Sequence, residues 1–114
     1  MPAAEATDAV IVLTSLPDRE TALKLARALV EKRLAACVSV LAECTSVYRW
    51  KGDLETAQEV PVQIKIRSAL YPEVEAAIRA HHPYELPEIL AVPVVRGLPE
   101  YLEWVTAETT PASG

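Results

Sequence analysis

The stretch AACVSVLAECTSVYRWKGDLETAQEVPVQIKIR, Ala35 to Arg67, decides the fold. From Ala35 the pattern has a period of two, with Val38, Val40 and Ala42 alternating with Cys37, Ser39 and Leu41. β-forming residues continue from Thr45 to Trp50 and meet the turn KGD. The return limb alternates more cleanly. Val60, Val62, Ile64 and Ile66 fall on one face, and Glu59, Pro61, Gln63, Lys65 and Arg67 on the other. This is a β-hairpin, and Pro61, which lacks a backbone donor, predicts a bulge or an edge at its position.

Its length has a consequence. The limb Ala35–Trp50, if it stays extended, spans roughly 50 Å, whereas a compact chain of this size has a radius of gyration near ~13 Å. A two-stranded ribbon protruding from such a body is barely stable in water, and its tip carries Val47, Tyr48, Trp50 and Leu54. Two outcomes stay open: the arm lies on a neighbouring copy in a homo-oligomer, or a bulge near Glu43 and Cys44 folds the limb back on itself.

Outward from the hairpin, Ala9–Leu13 (AVIVL) is a short apolar run, the pattern of a strand covered on both faces. SLPDRE follows, with Ser15 placed to cap a helix, Pro17 to open it, and Asp18 and Glu20 at the positive end of its dipole. The stripe of that helix is Ala22, Leu25, Ala26, Leu29 and Val30. On the other side, Pro72 opens a second helix with stripe Val74, Ala77, Ile78 and His81, which Pro83 ends. Ile89–Val95 reads as a further strand interrupted by Pro93, and Pro99–Ala107 as a final helix. The order βαββαβ plus a C-terminal helix predicts an α+β, ferredoxin-like fold, with an antiparallel sheet carrying both main helices on one face. One domain over residues 9–107 is expected, with 1–8 and 108–114 as flexible termini.

Composition bounds the function. The chain of 114 residues has 11 basic and 16 acidic side chains and a net charge of −5, which opposes nucleic-acid binding. No apolar run approaches a membrane span, and MPAAEATDA has neither the basic nor the apolar region of a signal peptide, so a cytoplasmic location is expected. Cys37 and Cys44, the two cysteines, have a spacing that fits no common zinc or redox motif and read as reduced thiols.

HHPYELPE, from His81 to Glu88, holds both histidines. Adjacent side chains diverge by about 100° on a helix and face opposite ways in a strand, so His81 and His82 reach one ion only with help from a third group. Neutral imidazole favours copper, zinc or nickel, and Glu85, Glu88 or a neighbouring subunit would supply the remainder. The structural reading stands beside this one: His81 completes a helical stripe, and Pro83 and Pro87 fix a turn. At the hairpin tip, Tyr48 and Trp50 either bury at an interface or line a cleft between subunits. Glu59, Lys65 and Arg67 share the face that would border such a cleft, with Tyr84 of the octapeptide as a further candidate.

The segments RLAACVSVLAECTSVYRWKGDLETAQEV, QIKIRS, HHPYELPEILAVPV and GLPEYLEWV resemble the CutA family of divalent-cation tolerance proteins, in family order and spacing from Val10 to Val105. The resemblance implies a ferredoxin-like subunit, a homotrimer in which the hairpin wraps a neighbour, and likeness to PII signal proteins. It also implies Cu(II) or another divalent metal as a possible ligand, at a cysteine after the first strand and at histidines matching His81 and His82. Thr14 stands where the cysteine would be, and a hydroxyl is a poor ligand for soft copper, so weaker binding is expected.

Rival functions on the same topology fail on residue types. An acylphosphatase of the same topology needs an asparagine, and the chain contains none. An RNA-recognition module needs stacking aromatics on a basic sheet, and there is no Phe here. A metallochaperone of this shape would carry C-x-x-C. The expected function is therefore that of a non-catalytic divalent-cation tolerance protein acting in the response to metal ions; the alternative is a PII-like scaffold taking a small ligand between subunits.

Overall fold

In a computed structural model, residues 7–111 are described. The chain runs β1 (Ala9–Leu16), α1 (Arg19–Glu31), β2 (Cys37–Val40), β3 (Cys44–Trp50) and β4 (Asp53–Arg67). A 3₁₀ turn at Ser68–Leu70 then leads into α2 (Tyr71–His81), β5 (Ile89–Pro93) and α3 (Pro99–Glu108). The sheet order is β2-β4-β1-β5, with β3 also paired to β4, and every pairing is antiparallel. The α+β class and the antiparallel sheet are those expected from the sequence.

Register explains the core. Val10, Val12, Thr14 and Leu16 of β1 stand opposite Ile66, Ile64, Val62 and Val60 of β4, which places all eight on one face. That face packs on Ala22, Leu25 and Leu29 of α1 and on Val74 and Ile78 of α2. Each fully buried aliphatic side chain contributes about 1.5–3 kcal/mol from removal of apolar surface from water. The opposite face carries no main helix. There Ile11 and Leu13 face Val92 and Leu90 of β5, which remain 46% and 56% exposed.

The limb Ala35–Trp50 is not one strand. Val40 faces Val62 and Cys44 faces Glu59, so Leu41–Glu43 stand opposite only Val60 and Pro61. One extra residue is a bulge, at the position where Pro61 predicts one. The Pro61 carbonyl accepts from Leu41 N–H at 2.9 Å, so its missing N–H also faces the β2 side, where the ladder is already broken. The bulge divides the limb into two strands without folding the arm away: the radius of gyration is 15.3 Å, above the ~13 Å of a compact chain of this length. Val47 and Leu54 near the tip are 64% and 72% exposed.

Two local expectations change. α1 begins at Arg19, because Ser15 and Leu16 stay paired in β1, and Asp18 rather than Ser15 caps it, accepting from Thr21 N–H at 2.7 Å. Val30 is 42% exposed, since the chain turns off the helix at Lys32 and carries its last turn away from the sheet. Contacts reach just outside residues 9–107: Thr7 Oγ1 donates to the Val94 carbonyl at 2.6 Å, and Thr109 is buried. Of the termini expected to be flexible, residues 1–6 and 112–114 lie outside the described residues.

Candidate functional site

Side-chain parity carries the open face of the sheet into the arm. Ser46, Tyr48 and Trp50 of β3 pair with Ala57, Glu55 and Asp53 of β4, and all of them share the face that holds Glu59. The turn Lys51–Gly52, with φ of 50° and 88°, is the tight hairpin turn that matches strand twist. Over this face passes the segment Tyr84–Leu90, and between the two lies a groove of about 840 Å³. Tyr48, Trp50, Glu59 and Tyr84 line it, as do Ser46, Arg49, Glu85, Leu86, Glu88 and Leu90.

Four of the six residues expected at a cleft therefore come together, and two do not. Lys65 and Arg67 share the face of Glu59 but sit about 20 and 26 Å farther along the strand. The Lys65 ammonium lies 4.0 Å from Cys37 Sγ, and Arg67 is bonded to Thr109. Ser46, Arg49, Leu86 and Leu90 line the groove with no signal in the sequence that marks them, and Glu85 and Glu88, which the sequence offers as candidate metal oxygens, line it as well.

The groove has a defined chemistry. Burial first, and then the nearby Glu59 carboxylate and a hydrogen bond to it, push the Tyr84 phenol above its ordinary range. The Lys51 ammonium lies 5.4 Å over the Trp50 ring and 3.6 Å from the Glu85 carboxylate, linking tip to segment. That ion pair is exposed and contributes little.

The two histidines take different positions. At α2's last turn, His81 Nδ1 lies 2.9 Å from the Ala77 carbonyl, which can only accept, so in the neutral ring Nδ1 carries the proton and Nε2 the lone pair. Pro83 disfavours helical backbone at the residue before it, and His82 is accordingly extended, with ψ of 129°. This turns the His82 ring inward, to 9% exposure, with Nε2 2.6 Å from the Ser15 carbonyl and Nδ1 accepting from Tyr84 N–H at 3.2 Å. Thr14 Oγ1 is buried on the helix side with no hydrogen-bond partner among the described residues. Among the described residues, no group of three or more His, Cys, Asp or Glu is arranged to hold a metal ion. Of the three positions that a metal would use by resemblance, the Thr14 hydroxyl is buried and both His82 ring nitrogens are engaged, which leaves His81 Nε2.

Residues 10–108 match the family model described as CutA1 divalent ion tolerance protein. The chain belongs to the CutA1 family. The divalent-cation tolerance protein CutA of Thermus thermophilus is 41% identical over 99 residues, which cover 87% of this chain and 96% of that protein. Protein CutA of Mus musculus is 46% identical over 97 residues, covering 85% of this chain but 55% of the mouse protein, so the chain spans about half the length of that relative. Among solved structures, CutA of Xylella fastidiosa superposes with a TM-score of 0.88 at 41% identity, over 91% of this chain and all of that one. The arm, the open sheet face and the HHPYELPE segment all fall within residues 10–108, the part of the chain that matches the CutA1 family. No helix among the described residues is long and apolar enough to cross a membrane.

Proposed function

We propose that the chain works as a non-catalytic homotrimer in the response to divalent metal ions, taking Cu(II) or a similar cation through His81. One observation carries the cation reading: His81 donates Nδ1–H to a helix carbonyl and keeps Nε2 open, the arrangement that second-shell bonding imposes on metal-ligating histidines. A single imidazole is not a complete site, and a neighbouring copy supplies the remaining ligands. The apolar open face and the unsupported arm favour such a copy. The free thiols of Cys37 and Cys44 suit a reducing compartment, in keeping with a cytoplasmic location.

Calorimetric titration with Cu(II) tests this: binding heat in the wild type should disappear in His81→Ala. Equal heats in the two proteins, or none in either, remove the cation from His81. Sedimentation at micromolar concentration should give three times the 12.4 kDa chain mass, and a 12.4 kDa species counts against the assembly.

The groove favours a second reading, a PII-like scaffold that takes a small ligand between the arm and the segment Tyr84–Leu90. Substitution of Trp50 or Tyr84 would then abolish ligand binding while leaving the Cu(II) heat intact.

A further inference from the structure

We infer that His82 is not a metal ligand but a positioning residue, a tautomer-locked clamp that fixes Tyr84 as a wall of the groove. His82 itself does not line that groove.

Both ring nitrogens are already committed. The Ser15 carbonyl has no proton to give, so Nε2 must donate across the 2.6 Å contact; Tyr84 N–H has no lone pair, so Nδ1 must accept. These requirements select the Nε2–H tautomer. A cation at Nε2 would need that proton removed and the Ser15 bond broken, and a cation at Nδ1 would displace the Tyr84 amide. With the ring buried, either change leaves a backbone group unpaired.

The same ring reaches Tyr84 a second way, with centroids 4.6 Å apart and planes tilted by 55°. Amide and ring together fix where the phenol stands, next to Glu59 on the groove's other wall. His82 thus joins the end of β1, through Ser15, to the turn after α2. Pro83 aims it there by holding His82 extended.

The inference borrows from the proposed function only the idea that the groove matters, and its test reads Tyr84 and the imidazoles directly. In wild-type protein carrying ¹⁵N-histidine, His82 should show a protonated Nε2 and an unprotonated Nδ1 at neutral pH. Zn(II) as a diamagnetic probe should leave both of its signals in place. Hydrogen exchange at the Tyr84 amide should be at least tenfold faster in His82→Ala. His82→Asn should restore slow exchange, because an Asn oxygen accepts from the amide two residues on. His82→Asn should also keep the Cu(II) heat that His81→Ala loses. A proton on Nδ1, a Zn(II)-shifted His82 nitrogen, or unchanged Tyr84 exchange in His82→Ala would each overturn the inference. Zn(II) that moves neither histidine removes the cation reading of His81 and supports this one.

Discussion

Arg67 grips Thr109 twice, Nε to the hydroxyl at 3.0 Å and Nη2 to the carbonyl at 2.7 Å. The Thr109 hydroxyl donates in turn to the Val105 carbonyl at 2.7 Å, so the last turn of α3 is tied to the end of β4. Charge-assisted bonds of this kind contribute about 1.5–3 kcal/mol. Arg67→Ala should lower unfolding free energy in urea by that amount and speed amide exchange in α3 selectively. Arg67→Lys should not rescue it, because one ammonium cannot reproduce a two-pronged fork. Unchanged stability in Arg67→Ala would assign the C-terminal end to some other anchor.

Thr14 presents the opposite situation. Its hydroxyl is buried among Val62, Ile89 and the helix-side core with no partner among the described residues. An unpaired buried hydroxyl costs about 1–3 kcal/mol, and valine has the same shape without it. Thr14→Val should therefore raise the unfolding free energy by about 1 kcal/mol, read as a higher urea midpoint at constant slope. A less stable valine variant would mean that the hydroxyl is bonded in solution.

Asp18 makes α1's start sensitive to acid. Backbone and side-chain hydrogen bonds with Thr21 hold its carboxyl below the ordinary 3.8. A carboxyl whose folded value is depressed contributes stability that is fully present above the unfolded value and is lost as pH falls through the folded one. Melting curves of wild type and Asp18→Ala should therefore differ from pH 7 down to about pH 4, and the gap should close below it. A gap that persists at pH 2 would mean that the cap acts without its charge.

Local pattern made most of the fold legible. The stripe Ala22, Leu25, Ala26, Leu29 and the alternation Val60 to Ile66 are buried as their periods require, because a helix or strand buries one face whatever the partner. Pro61 announced its bulge, since a residue without N–H needs a break in the ladder. The start of α1 was misplaced because Ser15 and Asp18 are both good caps, and the choice was made by β1 pairing with Val60 and Pro61. The site was only half visible. Tyr48, Trp50, Glu59 and Tyr84 line one groove within the chain, whereas Lys65 and Arg67 share their face at a distance that parity alone does not reveal. The separate positions of His81 and His82 depend on the Ser15 carbonyl, a contact that no local spacing encodes.

The open side of the sheet yields a prediction about assembly. Leu13 faces Leu90 and Ile11 faces Val92 on the side without a main helix, so β5 presents an apolar strip to solvent in the single chain. If copies cover this strip, as proposed, an ammonium placed there must be desolvated without a partner, at a cost of several kcal/mol per interface. Leu90→Lys should then shift the sedimenting species from three times 12.4 kDa to 12.4 kDa, and Leu90→Met should not. The core built on Val12, Ile64 and Leu25 lies on the other face, so the dissociated variant should keep its circular dichroism spectrum. A Leu90→Lys protein that still sediments as the wild type would place the interface away from β5 and leave the arm as its remaining support.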